Sequence, residues 1–179
     1  MKKFYIMDMD GTLAMSMKYW RRECASYTAT SEDEWESIFQ RMKAHYTDEV
    51  EIKDGVEDFL GNARARGVKM CIATATRRDI AEPFLQKTGI MDYMEFYIDC
   101  IEIGAYKDKP DVFLRAAERL GADISDCAVF EDAPHAAAAA KRAGFFVVGV
   151  YDPITVNDGD IKPYVDEYVD DWRTFKACF

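Results

Sequence analysis

Positive charge is scarce in this 179-residue chain, where 23 Lys and Arg stand against 33 Asp and Glu, a formal net charge of −10. Nucleic acids and anionic membrane surfaces are gripped by clustered Lys and Arg, so this balance argues against both as partners. An anionic substrate would need local positive charge from a metal ion or a few selected basic residues. Paired cysteines are also missing. Cys24, Cys71, Cys100, Cys127 and Cys178 are widely spaced and form no C-x-x-C, which argues against a disulfide framework or a zinc site and for reduced thiols. No apolar stretch is long enough to cross a bilayer. The run after Met1-Lys2-Lys3 ends at Asp8, too early for the core of a signal peptide, and a cytoplasmic location is expected. Histidine is limited to His45 and His135. His135 lies three residues after Asp132 and is read as a surface position at a helix start, not as a ligand.

What remains is a globular composition, 49% hydrophobic and 13% aromatic, sufficient for one well-buried core. Short apolar runs alternate with amphipathic stretches. Residues 3–8, 68–73, 95–99, 127–130 and 145–150 read as strands, with a short edge strand over 167–169. Helices are expected over 15–27, from Ser31 onward, over 54–67, 79–87, 110–120 and 134–143. Ser31 with Glu34 three residues on forms a capping box, and Ile38 and Met42 continue an apolar stripe behind it. Pro83 is expected in the first turn of its helix, or else to break it. Alternating strands and helices imply βαβ units, hence an α/β, Rossmann-like three-layer parallel sheet. Two helices intervene after the first strand, which predicts a core of residues 1–14 and 51–179 with a small helical cap, 15–50, inserted into it.

In such sheets ligands bind beyond the carboxyl ends of the strands. The first strand ends in Asp8-Met-Asp10-Gly-Thr12, the second in Thr74-Ala-Thr-Arg77-Arg78, and the fourth in Glu131-Asp132, while Lys107-Asp-Lys109 precedes the 110–120 helix. On an extended strand Asp8 and Asp10 point the same way, and two like charges side by side repel unless a cation or a proton joins them. Asp8 suits a carboxylate nucleophile that forms an aspartyl-phosphate. Asp10 suits a general acid and base. Asp8, Asp132, the backbone carbonyl of Asp10 and Glu131, the last directly or one layer out, make an all-oxygen set suited to Mg²⁺. Thr74 can hydrogen-bond the transferring oxygens, and Lys107 can supply fixed charge. Arg77 and Thr12 are placed on the substrate.

With these residues in view, the chain resembles the haloacid dehalogenase superfamily, in particular its β-phosphoglucomutase and phosphoglycolate phosphatase-like group. Asp8-Met-Asp10-Gly-Thr-Leu13 matches that family's D-x-D-G-T-L, Thr74 its second motif, and Glu131-Asp132 its acidic fourth motif. The pattern K-P-x-P-D-x-F lies on Lys107–Phe113 with Asp108 in place of the first proline. Lys109 competes, but the spacing to Pro110-Asp-x-Phe113 favours Lys107. The resemblance implies Mg²⁺-dependent hydrolysis of a small phosphorylated metabolite. Two departures concern the cap: Trp20 stands where hexose-phosphate mutases carry a histidine, and the insertion is short. A small lid shields an aspartyl-phosphate from water less completely, so phosphatase is favoured over phosphomutase. A phospho-acceptor or phosphate-ester-binding regulatory module is the remaining alternative. Trp20, Trp35 and Phe39 are expected to pack the cap, Cys71 and Cys127 to sit in the core, Ala136–Ala140 to allow close helix-to-sheet packing, and Asp170-Asp171 to face solvent.

Overall fold

The computed structural model describes residues 2–25 and 31–177. Cys178 and the end of the helix expected over 15–27 lie outside the described residues. Six strands form one sheet: β1 (Phe4–Met7), β2 (Lys69–Thr74), β3 (Tyr97–Asp99), β4 (Cys127–Glu131), β5 (Phe146–Val150) and β6 (Glu167–Val169). Their order is β3–β2–β1–β4–β5–β6 and every pairing is parallel. β1 lies at the centre, with Ile6 opposite Cys71 of β2 on one side and Val129 of β4 on the other. The direction of winding reverses between β1 and β4. That gap is the switch point where open α/β sheets hold ligands.

Both faces of the sheet are covered, as the near-continuous apolar strands require. Ile6, Cys71, Ala73, Val129 and Val147 face α6 (Asp111–Leu120) and α7 (Pro134–Arg142). Ala136–Ala140 are all buried there, and the absence of larger side chains lets α7 approach the strands closely. On the opposite face Tyr5, Met7, Met70, Ile72 and Phe130 meet α3 (Val56–Ala65) and α4 (Arg78–Thr88), with Trp172 stacked on Phe130 at 5.7 Å. Cys71 and Cys127 are buried in strands, His135 is exposed near the start of α7, and Asp170 is exposed.

Two helices separate β1 from α3: α1 (Met17–Cys24) and α2 (Glu32–Asp48). The capping box forms as expected, with Glu34 N–H donating to Ser31 Oγ and Ser31 N–H to Glu34 Oε2. Ile38, Met42 and Tyr46, four residues apart, give α2 one wholly buried edge, which joins the same apolar cluster as Ile80, Ala81, Phe84 and Leu85 of α4. α1 packs on α2. It begins at Met17, later than the pattern suggested, because Ser16 flanks it and turns its hydroxyl back to Asp10. Pro83 neither sits in the first turn nor breaks α4. The carbonyl it leaves without a helical donor is that of Asp79, which is exposed and can turn to solvent. The sequence pattern also missed α5 (Cys100–Ile103), a single turn created by Asp99, whose carboxylate accepts from the N–H groups of Ile101 and Glu102 at 2.9 Å each.

Candidate active site

Asp8 is the residue just past β1. Its N–H still donates to Phe130 O across the sheet at 2.9 Å, which fixes its carboxyl in the gap between β1 and β4. Glu131 ends β4 and Asp132 follows it. Lys107 reaches in from the loop between α5 and α6. All four are buried, Asp8 and Lys107 at 5% exposure, Asp132 at 4% and Glu131 at 1%. Buried charges are tolerated only when paired, and the pairing is uneven. Lys107 Nζ donates to Asp8 Oδ1 at 2.5 Å and to Glu131 Oε1 at 2.7 Å. Glu131 Oε2 accepts from the Ala133 N–H at 2.9 Å, and Asp132 Oδ1 from Thr12 Oγ1 at 3.3 Å. Among the described residues Asp8 Oδ2 and Asp132 Oδ2 have no hydrogen-bond partner, although the Thr155 hydroxyl beside Asp132 acts to lower its carboxyl.

One ammonium thus stands among three carboxylates and bonds only two of them. Burial pushes the Asp8 carboxyl up to about 7, although the Lys107 ammonium beside it acts the other way. Asp132 is raised well above the usual carboxylate range, by burial first and then by the charges of Glu131 and Asp8. Burial would depress Lys107, but Asp8 and Glu131 outweigh it and hold the lysine charged. Ligand oxygens of Asp8, Glu131 and Asp132 all lie within 4.8 Å of one another. Two orphaned carboxylate oxygens in a dry, anionic gap are what a hard divalent cation would satisfy, and Mg²⁺ fits such an all-oxygen set. Glu131 already spends both oxygens on Lys107 and Ala133, so Asp8 and Asp132 are the side chains with capacity to spare.

Gly11 makes this approach possible. It sits at φ +82°, and a Cβ added there would lie 2.1 Å from Asp132 Oδ2. Its carbonyl accepts from Lys53 Nζ, which also binds Tyr151 O at 2.7 Å and pairs with buried Asp152 at 3.2 Å. That lysine therefore ties the D-x-D-G-T turn to the chain leaving β5.

Asp10 is placed differently. Its Oδ1 accepts from Ser16 Oγ at 2.6 Å and from Tyr46 Oη. Its Oδ2 accepts from Thr76 Oγ1 at 2.7 Å and, at 3.4 Å, from Thr74 Oγ1. Tyr46 Oη in turn accepts from Trp20 Nε1 at 3.0 Å. The structure therefore brings Asp8, Asp10, Thr74, Lys107, Glu131 and Asp132 to one place. It does not bring Lys109, which is exposed. Arg77 is tied to Asp79 at 2.6 and 2.9 Å and to Glu36 at 3.3 Å, and lies over the Phe39 ring. Thr12 is fully buried and holds Asp132. Trp20 and Phe39 pack against the core as anticipated, whereas Trp35 is 42% exposed and stacks only along Phe39.

Sequence reasoning overlooked Thr76, Tyr46 and Lys53. Thr76 carried a signal, since it lies two residues beyond Thr74, the spacing that returns a side chain to the same face of an extended segment. Tyr46 lies four residues beyond Met42 on the apolar stripe of α2, a position that carries no separate sign of a polar role.

Comparison with known proteins agrees with this geometry. The haloacid dehalogenase-like hydrolase family profile matches residues 16–144, and the chain belongs to that family. The protein CbbY of Rhodobacter capsulatus is 34% identical over 130 residues, 70% of this chain and 53% of that protein. The β-phosphoglucomutase of Bacillus subtilis is 31% identical over 112 residues, 63% of this chain and 48% of the enzyme. The chain spans about half the length of the curated relatives it matches. Among solved structures, CbbY from Rhodobacter sphaeroides in complex with phosphate superposes with a TM-score of 0.84 at 18% identity, covering 97% of this chain and 96% of that one. At that identity the likeness concerns the fold. Among the described residues, no helix is long and apolar enough to cross a membrane.

Proposed function

We propose that this protein is a Mg²⁺-dependent phosphatase of a small phosphorylated metabolite, working through an aspartyl-phosphate on Asp8. The observation that carries the reading is the pairing of Asp8 with Lys107 beside the two unpartnered oxygens of Asp8 and Asp132. Residues 15–50 serve as the cap and residues 1–14 and 51–179 as the core.

Asp8 attacks phosphorus, and the ester oxygen leaves with a proton from Asp10. Asp10 then takes a proton from water, which attacks the acyl phosphate, releases inorganic phosphate and restores the Asp8 carboxylate. Lys107 keeps Asp8 oriented and places a positive charge beside the transferring group. Thr74, and Thr76 with it, aligns Asp10 and offers hydroxyls near the phosphoryl oxygens. The cation, held by Asp8, Asp132 and the Asp10 backbone carbonyl, would supply positive charge against the negative charge of the phosphoryl group. Glu131 acts by holding Lys107.

The phosphomutase alternative draws on one observation. Asp8 is only 5% exposed, and a mutase must protect its acyl phosphate from water. The test is hydrolysis of p-nitrophenyl phosphate with and without Mg²⁺, by wild type and Asp8→Asn, followed by a panel of phosphorylated metabolites ranked by kcat/KM. Metal-dependent release of phosphate that disappears in the variant is the expected result. Isomerisation of a sugar phosphate without net release would select the mutase, and no turnover under any condition would favour a binding module.

A further inference from the structure

The two oxygens of Asp10 are held unequally. Ser16 and Tyr46 both donate to Oδ1, while Oδ2 meets Thr76 and, at a loose 3.4 Å, Thr74 at the end of β2. The direction of the Tyr46 bond is fixed by the Asp10 carboxylate, which can only accept. An indole N–H can only donate, and Trp20 Nε1 occupies Tyr46 Oη at 3.0 Å. The phenol proton is then the one that points to Asp10. A chain of this kind has a single polarity, and each of its bonds strengthens the next. Each carboxylate oxygen offers about two lone-pair positions; those of Oδ1 are both taken by close donors, whereas Oδ2 has one close donor, Thr76 at 2.7 Å, with Thr74 only at 3.4 Å. A proton carried by Asp10 is accordingly kept off Oδ1 and placed on Oδ2, the oxygen turned toward the ends of the strands.

We propose that Tyr46, oriented by Trp20, is a positioning residue that decides which oxygen of Asp10 holds the proton given to the leaving group. Trp20 lies on α1 and Tyr46 on α2, so the placement of the proton depends on the two inserted helices. Tyr46 is fully buried and its ring packs 6.2 Å from Phe84 of α4, which makes its position well defined. In that step the Asp8–phosphorus bond forms and the phosphorus–ester oxygen bond breaks. The electron pair passes to the ester oxygen, which takes the proton from Oδ2 and leaves Asp10 ionised.

This inference rests on the phosphatase reading, and its test separates the two. A poor leaving group needs the proton and a good one needs it less. Wild type, Tyr46→Phe and Trp20→Phe are compared on phenyl phosphates bearing increasingly electron-withdrawing ring substituents, with kcat/KM reporting the step in which the phenol departs. Positioned general acids contribute about 10²–10⁴-fold, so we expect Tyr46→Phe to lower kcat/KM for phenyl phosphate about tenfold more than for p-nitrophenyl phosphate. Trp20→Phe should show the same tilt, more weakly. Equal losses across the series, or no loss, would overturn the role of Tyr46, and a tilt in neither variant would do so even if Tyr46→Phe folded poorly. Absence of turnover by the wild type on every ester would overturn the phosphatase reading, and this inference with it.

Discussion

The site has two sides built from different materials. Around Asp8 everything is formally charged and comes from the sheet and its connecting loops: Lys107, Glu131 and Asp132, all buried. Around Asp10 every side-chain donor is a neutral hydroxyl, drawn from the end of β2 and just beyond it, from the residue before α1 and from α2: Thr74, Thr76, Ser16 and Tyr46. The charged side is underpaired, with two carboxylate oxygens left over. On the hydroxyl side both oxygens of Asp10 have donors. The difference teaches that the chain satisfies Asp10 internally but leaves two carboxylate oxygens of the charged side without a donor, and a deficit of that sort is held in place only by the surrounding fold.

Breaking each side should therefore have unequal consequences. Lys107→Met leaves Asp8 and Glu131 facing each other in a buried gap, and removing one partner of a buried pair costs about 3–5 kcal/mol. For a chain of this size that corresponds to a fall in melting temperature of roughly 10 °C. Thr76→Val removes one neutral donor from Asp10, worth about 1 kcal/mol, or about 2–4 °C. Thermal unfolding of both variants checks the contrast, and equal falls would erase it.

A smaller effect probes the charged side alone. Alanine at Gly11 meets Asp132 Oδ2 at 2.1 Å and demands a φ of +82° from a residue with a Cβ, so Asp132 must be displaced. Misplacing a metal ligand of this kind reduces affinity by about 10–100-fold. Calorimetric titration with Mg²⁺ should show that loss in Gly11→Ala while the Asp8–Lys107 pair persists. Unaltered affinity would mean that Asp132 does not hold the ion.

The same contrast explains what could be read from the sequence. Asp8, Asp10, Thr74, Glu131 and Asp132 sit at strand ends, where a local apolar run followed by a polar residue announces both the strand and its exit. The parallel sheet, both capping residues of α2 and the presence of two helices between β1 and α3 were legible from such local patterns. Tyr46 was not, because its partner Asp10 lies 36 residues away and an aromatic on an apolar stripe looks like packing until the fold brings a carboxylate to its hydroxyl. Arg77 shows the reverse: adjacent to the second motif it looked like a substrate clamp, yet Asp79 and Glu36 claim its guanidinium. Pro83 inside α4 was missed because an exposed carbonyl accepts a lost helical bond at little cost.

The smallest effect is the most discriminating. In metal-free protein the Asp8 carboxyl is held up at about 7 against an ordinary 3.8, and Asp132 is raised by the same burial. Between those values the folded chain keeps protons that the unfolded chain has released, so the stability of the metal-free protein falls as pH rises through that window. Asp132→Asn removes one of the crowded charges while keeping the shape. At pH 8 without metal it should melt higher than wild type, by about 2–4 °C if the relief is near 1 kcal/mol, and the gain should shrink toward pH 4 as wild-type Asp132 takes up its own proton. Adding Mg²⁺ should reverse the order, because an ion that binds only the folded state stabilises in proportion to its occupancy and the variant lacks one of its ligands. A variant that melts lower than wild type at pH 8 without metal would show that Asp132 is already neutralised within the chain, and the charged side would then be as complete as the hydroxyl side.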